Sequence, residues 1–353
     1  MKNGMKKVLA LAMILVLAMG LGAARAEGNS IADVYEQVSG AVVQVRNMAE
    51  TWSPETGATI ETALSATGVY IGEGFVLTNW HVVYENDYME VETLDGQIVR
   101  AKNVYTDDSV DLAVLALEEP LAGVTPVMLG DSEALRPGDV AIVIGNPEME
   151  GIVFPGTLTV GYISGVNRPS ADMGYFTRAV PLIQLDAALN NGLSGGGLFN
   201  TAGELVGLTT LKAGLIEDVF YESMGFAIPS ATIQRVAGDL MAHGVVKRPR
   251  MGVMVSDLDG PEEPIRTYPP AGLLASEVDP EGPAGQAGML LNDIIVEFDG
   301  VRVHTFNELS SLLDAHQAGD VVHVKVYRCL DEEGYMTDDA EYVEMDITLG
   351  ILD

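Results

Sequence analysis

Cysteine is almost absent from this chain of 353 residues, in which Cys329 is the single thiol. One thiol cannot form an intramolecular disulfide, so the chain is excluded from the disulfide-stabilised class of exported domains, and its cores must be stabilised by burial. A zinc site built on several cysteines is excluded for the same reason. The five histidines form neither an H-x-H nor an H-x-x-x-H pair, and we therefore predict no metal site and no cofactor.

Positive charge is scarce as well. Lysine and arginine together number 19 against 51 aspartates and glutamates, which gives a formal net charge of −32. An acidic surface repels phosphate backbones, so nucleic acid is not an expected partner. Disorder of the whole chain is excluded because 48% of the residues are hydrophobic, and the length suits two or three domains.

The N-terminal segment has the layout of a secretory signal peptide. Three lysines lie within Met1–Lys7, the run Val8–Leu21 is apolar and uncharged, and Ala24-Arg25-Ala26 is a small-x-small cleavage pattern. We predict that residues 1–26 are a signal peptide that directs export, by secretion or to the cell envelope or periplasm. The uncharged stretch Val8–Ala24 has 17 residues, fewer than the ~20 that span a bilayer. The alternative is an uncleaved leader, which would attach the protein to a membrane.

Strands and turns dominate the long middle segment, which begins with a short amphipathic helix predicted over residues 31–39. The apolar runs that follow are separated by Gly, Pro, Asn and Asp, which is typical of an all-β sandwich or a pair of barrels. Ser230 is predicted to cap a helix that ends at Gly244 and closes a first domain, residues 30–245. The apolar runs are Ala41–Val45, Val69–Leu77, Leu112–Leu117, Val140–Ile144, Leu158–Ile163, Leu182–Leu185, Leu205–Leu208 and Phe226–Ile228.

A second, smaller domain is predicted over residues 250–350. The basic segment Lys247-Arg248-Pro249-Arg250 precedes it and is predicted to be a short exposed linker. The predicted strands are Gly272–Val278, Ile294–Phe298, Val321–Tyr327 and Tyr342–Leu349, and the predicted helices are Pro283–Ala287 and Phe306–His316.

A histidine, an aspartate and a serine lie in three short motifs of the β-rich segment: TNWHVV with His81, DSVDLAV with Asp111 and NGLSGGG with Ser194. Each motif alone has an ordinary structural explanation, as a structural histidine, a turn aspartate or a flexible serine loop. Together they meet the needs of nucleophilic catalysis, in which an imidazole accepts the serine proton and a carboxylate fixes the imidazole tautomer. The neighbouring glycines let the backbone turn, so we expect the N–H groups of Gly192 and Ser194 to bind an oxyanion.

This ordered set resembles the HtrA/Deg family of serine proteases. The similarity extends to the segments GFVLTN, GNP, VGYIS, QLDAA and GFAIPS. The resemblance implies a mainly β fold, a chymotrypsin-like double β-barrel with the active site in the cleft between the barrels. It implies that His81 is the general base, Asp111 its orienting partner and Ser194 the nucleophile. It also implies assembly as a homotrimer.

The chain departs from that family at two positions near the serine. The family usually has Asn before the serine and Pro after the two glycines, whereas this chain has Leu193 and Gly197. Because Leu193 changes only a side chain, we expect the oxyanion donors to be kept. Gly197 lacks the rigidity of proline and is expected to soften the loop, which favours an inactive resting geometry.

The primary specificity pocket is predicted to take small or medium aliphatic side chains. Its floor should come from residues shortly before Ser194, where Ala188 stands six positions upstream, together with Leu211. A trypsin-like pocket would place an acid there. The alternative is that Ala188 only packs in the core.

The second domain resembles a PDZ domain of the bacterial protease type, through the segments RMGV, GLL, GPAGQAGM, DII and DG. The resemblance implies that the N–H groups of Met251, Gly252 and Val253 bind a peptide's C-terminal carboxylate while the peptide adds a β-strand. Leu309 and Leu313 of the predicted helix are expected to form the opposite wall of the groove. A domain that only packs or spaces subunits is the alternative.

Taken together, the sequence predicts an exported, ATP-independent serine endopeptidase that degrades unfolded or misfolded proteins through an acyl-enzyme. Its predicted partners are unfolded protein or peptide substrates, with PDZ recognition of peptide C-termini. The alternative is a catalytically impaired peptide-binding or chaperone-like protein. Metal-dependent hydrolysis has only the scattered histidines in its favour.

Overall fold

The computed structural model of the chain describes residues 29–53, 57–85, 87–170, 180–212, 215–216, 219–220, 223–265, 268–331 and 334–351. The predicted signal peptide lies outside these residues. In the part of the chain that is described, no helix combines the length and the apolar character needed to cross a bilayer.

Six antiparallel strands form a first closed barrel. The elements of this part of the chain are α1 (Ile31–Val38), β1 (Val42–Ser53), β2 (Gly57–Gly72), β3 (Phe75–Thr78), α2 (Trp80–Val83), β4 (Tyr88–Glu92), β5 (Ile98–Asp107) and β6 (Leu112–Leu117). The strands pair in the order β1-β2-β3-β6-β5-β4. Every residue of β6 is buried, because this strand lies in the barrel wall with both faces covered. Helix α1 starts in a capping box between Ser30 and Asp33.

A second closed barrel follows. Its strands and two small hairpins are β7 (Val140–Gly145), β8 (Glu148–Met149), β9 (Ile152–Val153), β10 (Thr157–Pro169), β11 (Pro181–Leu185), β12 (Gly197–Phe199), β13 (Leu205–Lys212), β14 (Leu215–Ile216), β15 (Val219–Phe220) and β16 (Gly225–Pro229). The barrel strands pair in the order β10-β11-β16-β13-β12-β7. The two barrels confirm the mainly β, double-barrel fold expected from the sequence.

Helix α3 (Ser230–His243) closes the barrel region and ends at Gly244, as predicted. The prediction that Ser230 caps this helix is wrong, because Pro229 occupies the N-cap position. The buried Ser230 hydroxyl instead donates to the Gly130 carbonyl oxygen at 2.6 Å and accepts from the Ser132 N–H at 3.2 Å. Its side chain therefore ties the helix to the connection that precedes the second barrel.

The elements of the C-terminal unit are β17 (Pro249–Arg250), β18 (Val253–Leu258), β19 (Gly272–Val278), α4 (Pro283–Gln286), β20 (Ile294–Phe298), β21 (Val301–Arg302), α5 (Phe306–Leu313), β22 (Val321–Leu330), β23 (Met336–Thr348) and β24 (Gly350–Ile351). Six of these strands form one sheet, in the order β18-β19-β20-β22-β23 with β21 paired to β20. Strand β18 is an edge strand of this sheet, and α5 packs beside it.

The predicted exposed linker is wrong at Arg248. The Arg248 side chain is only 11% exposed and forms an ion pair with Asp107, which is 3% exposed. The two residues that follow form β17 and pair with β24. The basic segment is therefore part of the contact between the barrels and the C-terminal unit.

Several other predicted elements have different ends; the predicted strands Val321–Tyr327 and Tyr342–Leu349, for example, are Val321–Leu330 and Met336–Thr348. In two cases the backbone shows the reason. The run Val69–Leu77 is two strands, because Gly72, Glu73 and Gly74 all take positive φ angles (100°, 53° and 82°) and turn the chain. The predicted helix Phe306–His316 ends at Leu313, where tight turns replace the α-helical hydrogen bonds.

Candidate active site

The first barrel brings His81 and Asp111 together. His81 lies in α2, the single turn after β3, and Asp111 follows the 3₁₀ turn Asp108–Val110, just before β6. His81 Nδ1 lies 2.9 Å from Asp111 Oδ1 and 3.0 Å from Oδ2, and the His81 backbone N–H donates to Oδ1 at 3.0 Å. A proton on Nδ1 is thus held by the carboxylate, which leaves the Nε2 lone pair free to accept another.

The backbone of Asp111 is held in a left-handed conformation, with φ 56° and ψ 41°. The buried Asn79 side chain donates to the Asp111 carbonyl oxygen at 3.0 Å. Thr210, from the second barrel, donates its hydroxyl to Asp111 Oδ2. The carboxylate is almost fully buried, so the Thr210 hydroxyl, the His81 backbone N–H and the imidazole replace the water that would otherwise solvate its charge.

Ser194 lies in the second barrel, on the loop between β11 and β12, and is half-buried. Its hydroxyl donates to the Thr210 carbonyl oxygen at 3.4 Å. Among the described residues no hydrogen bond joins the Ser194 hydroxyl directly to His81. Thr210 is the residue that contacts both Asp111 and Ser194. Catalytic hydrogen bonds are often long without substrate and tighten when it binds.

The loop that carries Ser194 leaves two N–H groups unclaimed. Two carbonyl oxygens of the loop accept hydrogen bonds from backbone N–H groups. The Asn191 oxygen accepts from the Glu148 N–H at 3.0 Å, and the Leu193 oxygen accepts from the Gly196 N–H of the same loop at 2.9 Å. Within the described residues, neither the Gly192 N–H nor the Ser194 N–H donates to another group. The arrangement can therefore offer both donors to a negatively charged oxygen.

Leu193 in the loop and Gly197 at the start of β12, the two positions near the serine that were singled out in the sequence, are both buried. Leu193 is 1% exposed and packs in the core of the second barrel. Gly197 begins β12, and an added Cβ there would lie 2.4 Å from ring atoms of Phe199, so the phenyl ring occupies the side-chain space. The softening expected at Gly197 stays a prediction.

The predicted specificity residues lie on different segments. Ala188 is exposed, so the alternative, that it only packs in the core, does not hold. Its carbonyl oxygen accepts a hydrogen bond from Thr159 Oγ1 at 3.0 Å. Leu211 lies in β13 opposite Phe226, but its side chain is outside the part of the chain that the structure describes. A shared pocket of these two residues stays a prediction.

The predicted peptide-binding residues line one groove of the C-terminal unit, with a volume of about 380 Å³. Met251, Gly252 and Val253 form one end, and Leu309 and Leu313 of α5 form the wall opposite the edge strand β18. Gly252 has φ 76°, and an added Cβ would lie 3.1 Å from Pro283 Cδ, so this turn favours glycine. An edge strand beside a helix is the arrangement that accepts an added peptide strand.

Thr67, Asn79 and Thr210 are site residues whose contacts the sequence did not reveal. Each acts through a side-chain hydroxyl or amide on a residue far along the chain, such as Thr67 on Gly192, 125 positions away. Asn79 stands in the TNWHVV motif, which was a usable signal, whereas Thr67 and Thr210 lie within ordinary strand sequence.

Comparison with known proteins agrees with this architecture. Residues 66–208 match the trypsin-like peptidase domain family, and residues 249–349 match the PDZ domain family. The chain is 32% identical over 332 residues to the serine protease Do-like HtrA of Lactobacillus helveticus, which covers 85% of this chain and 79% of the relative. It is 34% identical over 328 residues to the serine protease Do-like HtrA of Bacillus subtilis (strain 168), covering 86% and 71% respectively.

A solved structure, the HtrA-type protease AlgW with a decapeptide, is similar to nearly the whole described fold. Its TM-score is 0.72 at 27% sequence identity, and the match covers 92% of this chain and 99% of that chain. The double barrel, the C-terminal PDZ domain and these relatives together place the chain in the HtrA family of serine proteases, and it is a serine endopeptidase.

Proposed function

We propose that this endopeptidase uses Ser194 as nucleophile, His81 as general base and Asp111 as the group that orients the imidazole. The observation that carries the proposal is the pairing of His81 Nδ1 with Asp111 Oδ1 at 2.9 Å, next to a serine loop with two unclaimed N–H groups. The buried carboxylate holds the imidazole with Nε2 open to the serine and stabilises the imidazolium that forms.

The proposed reaction proceeds through an acyl-enzyme. Ser194 Oγ bonds to the carbonyl carbon of the scissile peptide while its proton passes to His81 Nε2, and the carbonyl π electrons move onto oxygen. The N–H groups of Gly192 and Ser194 donate to that oxyanion, and each such donor typically contributes about 3–4 kcal/mol. The C–N bond then breaks, the amine leaves with the proton from His81, and water hydrolyses the remaining ester.

The proposed substrates are unfolded or misfolded proteins, cleaved without ATP after small or medium aliphatic side chains. In support, Ala188 presents no charge for a lysine or arginine side chain. A profile of the cleavage sites would test whether Ala188 and Leu211 form the floor of the specificity pocket. An activity confined to sites after lysine or arginine would contradict it.

We also propose that the PDZ groove binds peptide C-termini. The N–H groups of Met251, Gly252 and Val253 would hold the carboxylate, and Leu309 and Leu313 would contact the last side chains. In support, the AlgW structure carries a decapeptide. Binding of a fluorescent peptide to the Ser194→Ala protein should weaken at least tenfold when the peptide C-terminus is amidated, and equal affinity for both forms would contradict this role.

Export and assembly belong to the same proposal. The leader pattern of residues 1–26 supports export, with the protease domain at 30–245 and the PDZ domain at 250–350. A homotrimer is the proposed assembly. Mass spectrometry of the exported protein would detect a new N-terminus after Ala26, and light scattering would give the subunit number.

The proposed nucleophile is tested with fluorescein-labelled casein and a fluorophosphonate probe. Ser194→Ala should lose both casein cleavage and labelling. Ser311→Ala removes a serine hydroxyl from helix α5 in the PDZ domain and should leave both unchanged. Cleavage of casein at the wild-type rate by Ser194→Ala would remove the assignment.

A catalytically impaired, chaperone-like binder is the second candidate. The observation that favours it is the hydrogen bond from the Ser194 hydroxyl to the Thr210 carbonyl oxygen rather than to His81. This candidate predicts peptide affinity with no burst of acyl-enzyme, whereas the protease predicts a burst of one product per active site.

A further inference from the structure

Thr67 joins the two barrels at the serine loop. It lies in β2 of the first barrel and is fully buried. Its hydroxyl donates to the Gly192 carbonyl oxygen at 2.6 Å and accepts from the Asn146 N–H at 2.8 Å. Its backbone N–H donates to the Ser194 carbonyl oxygen at 3.0 Å. One residue therefore holds the carbonyl groups that follow both proposed oxyanion donors.

These contacts complete the fixation of four successive peptide groups. The Asn191 and Leu193 carbonyl groups are held from within the second barrel, by the N–H groups of Glu148 and Gly196. The Gly192 and Ser194 carbonyl groups are held by Thr67 of the first barrel. Because the N–H and C=O of a trans peptide point in opposite directions, the contacts of Glu148 and Gly196 fix the directions of the Gly192 and Ser194 N–H groups. The Thr67 contacts fix the peptide group that follows each of these donors.

The backbone of the loop passes so close to Thr67 that a side chain at position 195 would not fit. An added Cβ on Gly195 would lie 2.1 Å from the Thr67 carbonyl oxygen, and Gly195 has φ 77°. The Thr67 carbonyl oxygen also accepts a hydrogen bond from the Thr78 hydroxyl at 2.8 Å. Thr78 lies three residues before His81 in the chain. Thr67 is thus bonded to the loop that carries Ser194 and to the segment that carries His81.

We propose that Thr67 is a positioning residue for the oxyanion hole, acting through its hydroxyl on the Gly192 carbonyl group. It sets the torsion at Gly192 so that the Gly192 and Ser194 N–H groups converge, and it fixes the distance of this pair from His81. This inference rests on the proposed function of Gly192 and Ser194. Loss of the hydroxyl would leave the Gly192–Leu193 peptide group held only through the Leu193 N–H, which donates to the Asn190 carbonyl oxygen at 3.0 Å. The carbonyl side of this group could then shift and take the donors out of alignment.

The test compares three variants of the full chain with the wild type in steady-state cleavage of fluorescein-labelled casein. Thr67→Val keeps the shape and removes the hydroxyl, and Thr67→Ser keeps the hydroxyl. Ser230→Ala is the matched control, because the Ser230 hydroxyl is also buried, also donates to a carbonyl oxygen at 2.6 Å and also accepts from one N–H. Ser230 begins the helix that follows the barrels, and the partners of its hydroxyl, Gly130 and Ser132, are not residues of the candidate site.

We expect Thr67→Val to lower kcat about 10- to 100-fold, the range for a misplaced oxyanion donor, with KM changed less than about twofold. The rate of fluorophosphonate labelling of Ser194 should fall by a similar factor. Thr67→Ser should keep kcat within about threefold of the wild type, because the hydroxyl is what the proposal requires. Ser230→Ala should lower the melting temperature as Thr67→Val does while kcat stays within about twofold.

Three results would overturn the positioning role. The first is that Thr67→Val and Ser230→Ala lose the same amount of stability and that kcat falls by the same factor in both. Another is a rise in KM with kcat unchanged. The third is a tenfold loss of kcat in Thr67→Ser, which remains readable even if Thr67→Val fails to fold. If Ser194→Ala keeps wild-type cleavage, the proposed function fails and the positioning role with it, whereas the three results above leave Ser194 as nucleophile.

Discussion

Leu193 packs directly over Gly145: an added Cβ on Gly145 would lie 2.5 Å from Leu193 Cδ2. The residue between the two proposed oxyanion donors is therefore anchored in the apolar core of the second barrel. Its backbone is anchored as well, since its N–H donates to the Asn190 carbonyl oxygen at 3.0 Å. A leucine at this position holds the serine loop by burial.

This packing predicts a large effect of a polar residue at position 193. Leu193→Asn should lower the free energy of unfolding by about 2–5 kcal/mol, because it leaves a cavity and buries an amide among aliphatic side chains. Leu193→Met nearly conserves volume and should lower it by less than about 1.5 kcal/mol. Urea denaturation measures both. Equal stability of the two variants would show that the position tolerates polarity and that burial does not anchor the loop.

Thr210 is expected to affect catalysis through the Asp111 carboxylate. Thr210→Val removes the hydroxyl that donates to Asp111 Oδ2. Hydrogen bonds to charged groups contribute about 1.5–3 kcal/mol, so kcat/KM should fall roughly 10- to 100-fold. Thr210→Ser keeps the donor and should stay close to the wild type. A matching loss in both variants would assign the effect to packing rather than to the hydrogen bond.

Continuous apolar runs were the most predictable part of the fold. The predicted bounds of Leu112–Leu117, Gly272–Val278 and Ile294–Phe298 agree with the structure, because turn residues mark both ends of each run. The run Val69–Leu77 was misread since hydrophobicity alone does not show that Glu73, between two glycines, takes a positive φ.

The residues of the candidate site also differ in how far local sequence could predict them. His81, Asp111 and Ser194 could be predicted because each residue type has its own chemistry in a recognisable motif. Thr67 and Thr210 could not, because their importance comes from hydroxyl contacts formed only when distant strands meet, 125 and 99 positions along the chain. The burial of Arg248 escaped prediction for the same reason, since its partner Asp107 lies 141 positions away.

The ion pair of Arg248 with Asp107 predicts a large loss of stability when one partner is removed. Both side chains are largely buried, so Arg248→Met leaves a desolvated carboxylate and should lower the free energy of unfolding by roughly 3–5 kcal/mol. Arg136→Met breaks an exposed pair with Asp139 and should change it by less than about 1 kcal/mol. Urea denaturation of both variants provides the comparison. Equal losses would mean that the buried pair is no stronger than a surface contact.

The PDZ domain carries a titrating pair whose effect depends on pH. The hydrogen bond from His323 Nδ1 to Asp346, at 2.9 Å, raises the pKa of His323 above its ordinary value, with Glu344 and Asp299 adding negative charge nearby. A raised pKa in the folded state means that the pair stabilises the fold fully below the unfolded-state value of about 6.5. That contribution is lost as the pH rises through the folded-state pKa of His323.

NMR titration of the imidazole protons should give a lower His323 pKa in Asp346→Asn than in the wild type. Glu73→Gln, which removes a carboxylate from the turn between β2 and β3, should leave the His323 pKa unchanged. An unaltered His323 pKa in Asp346→Asn would assign the shift to the net acidity of the chain rather than to this hydrogen bond.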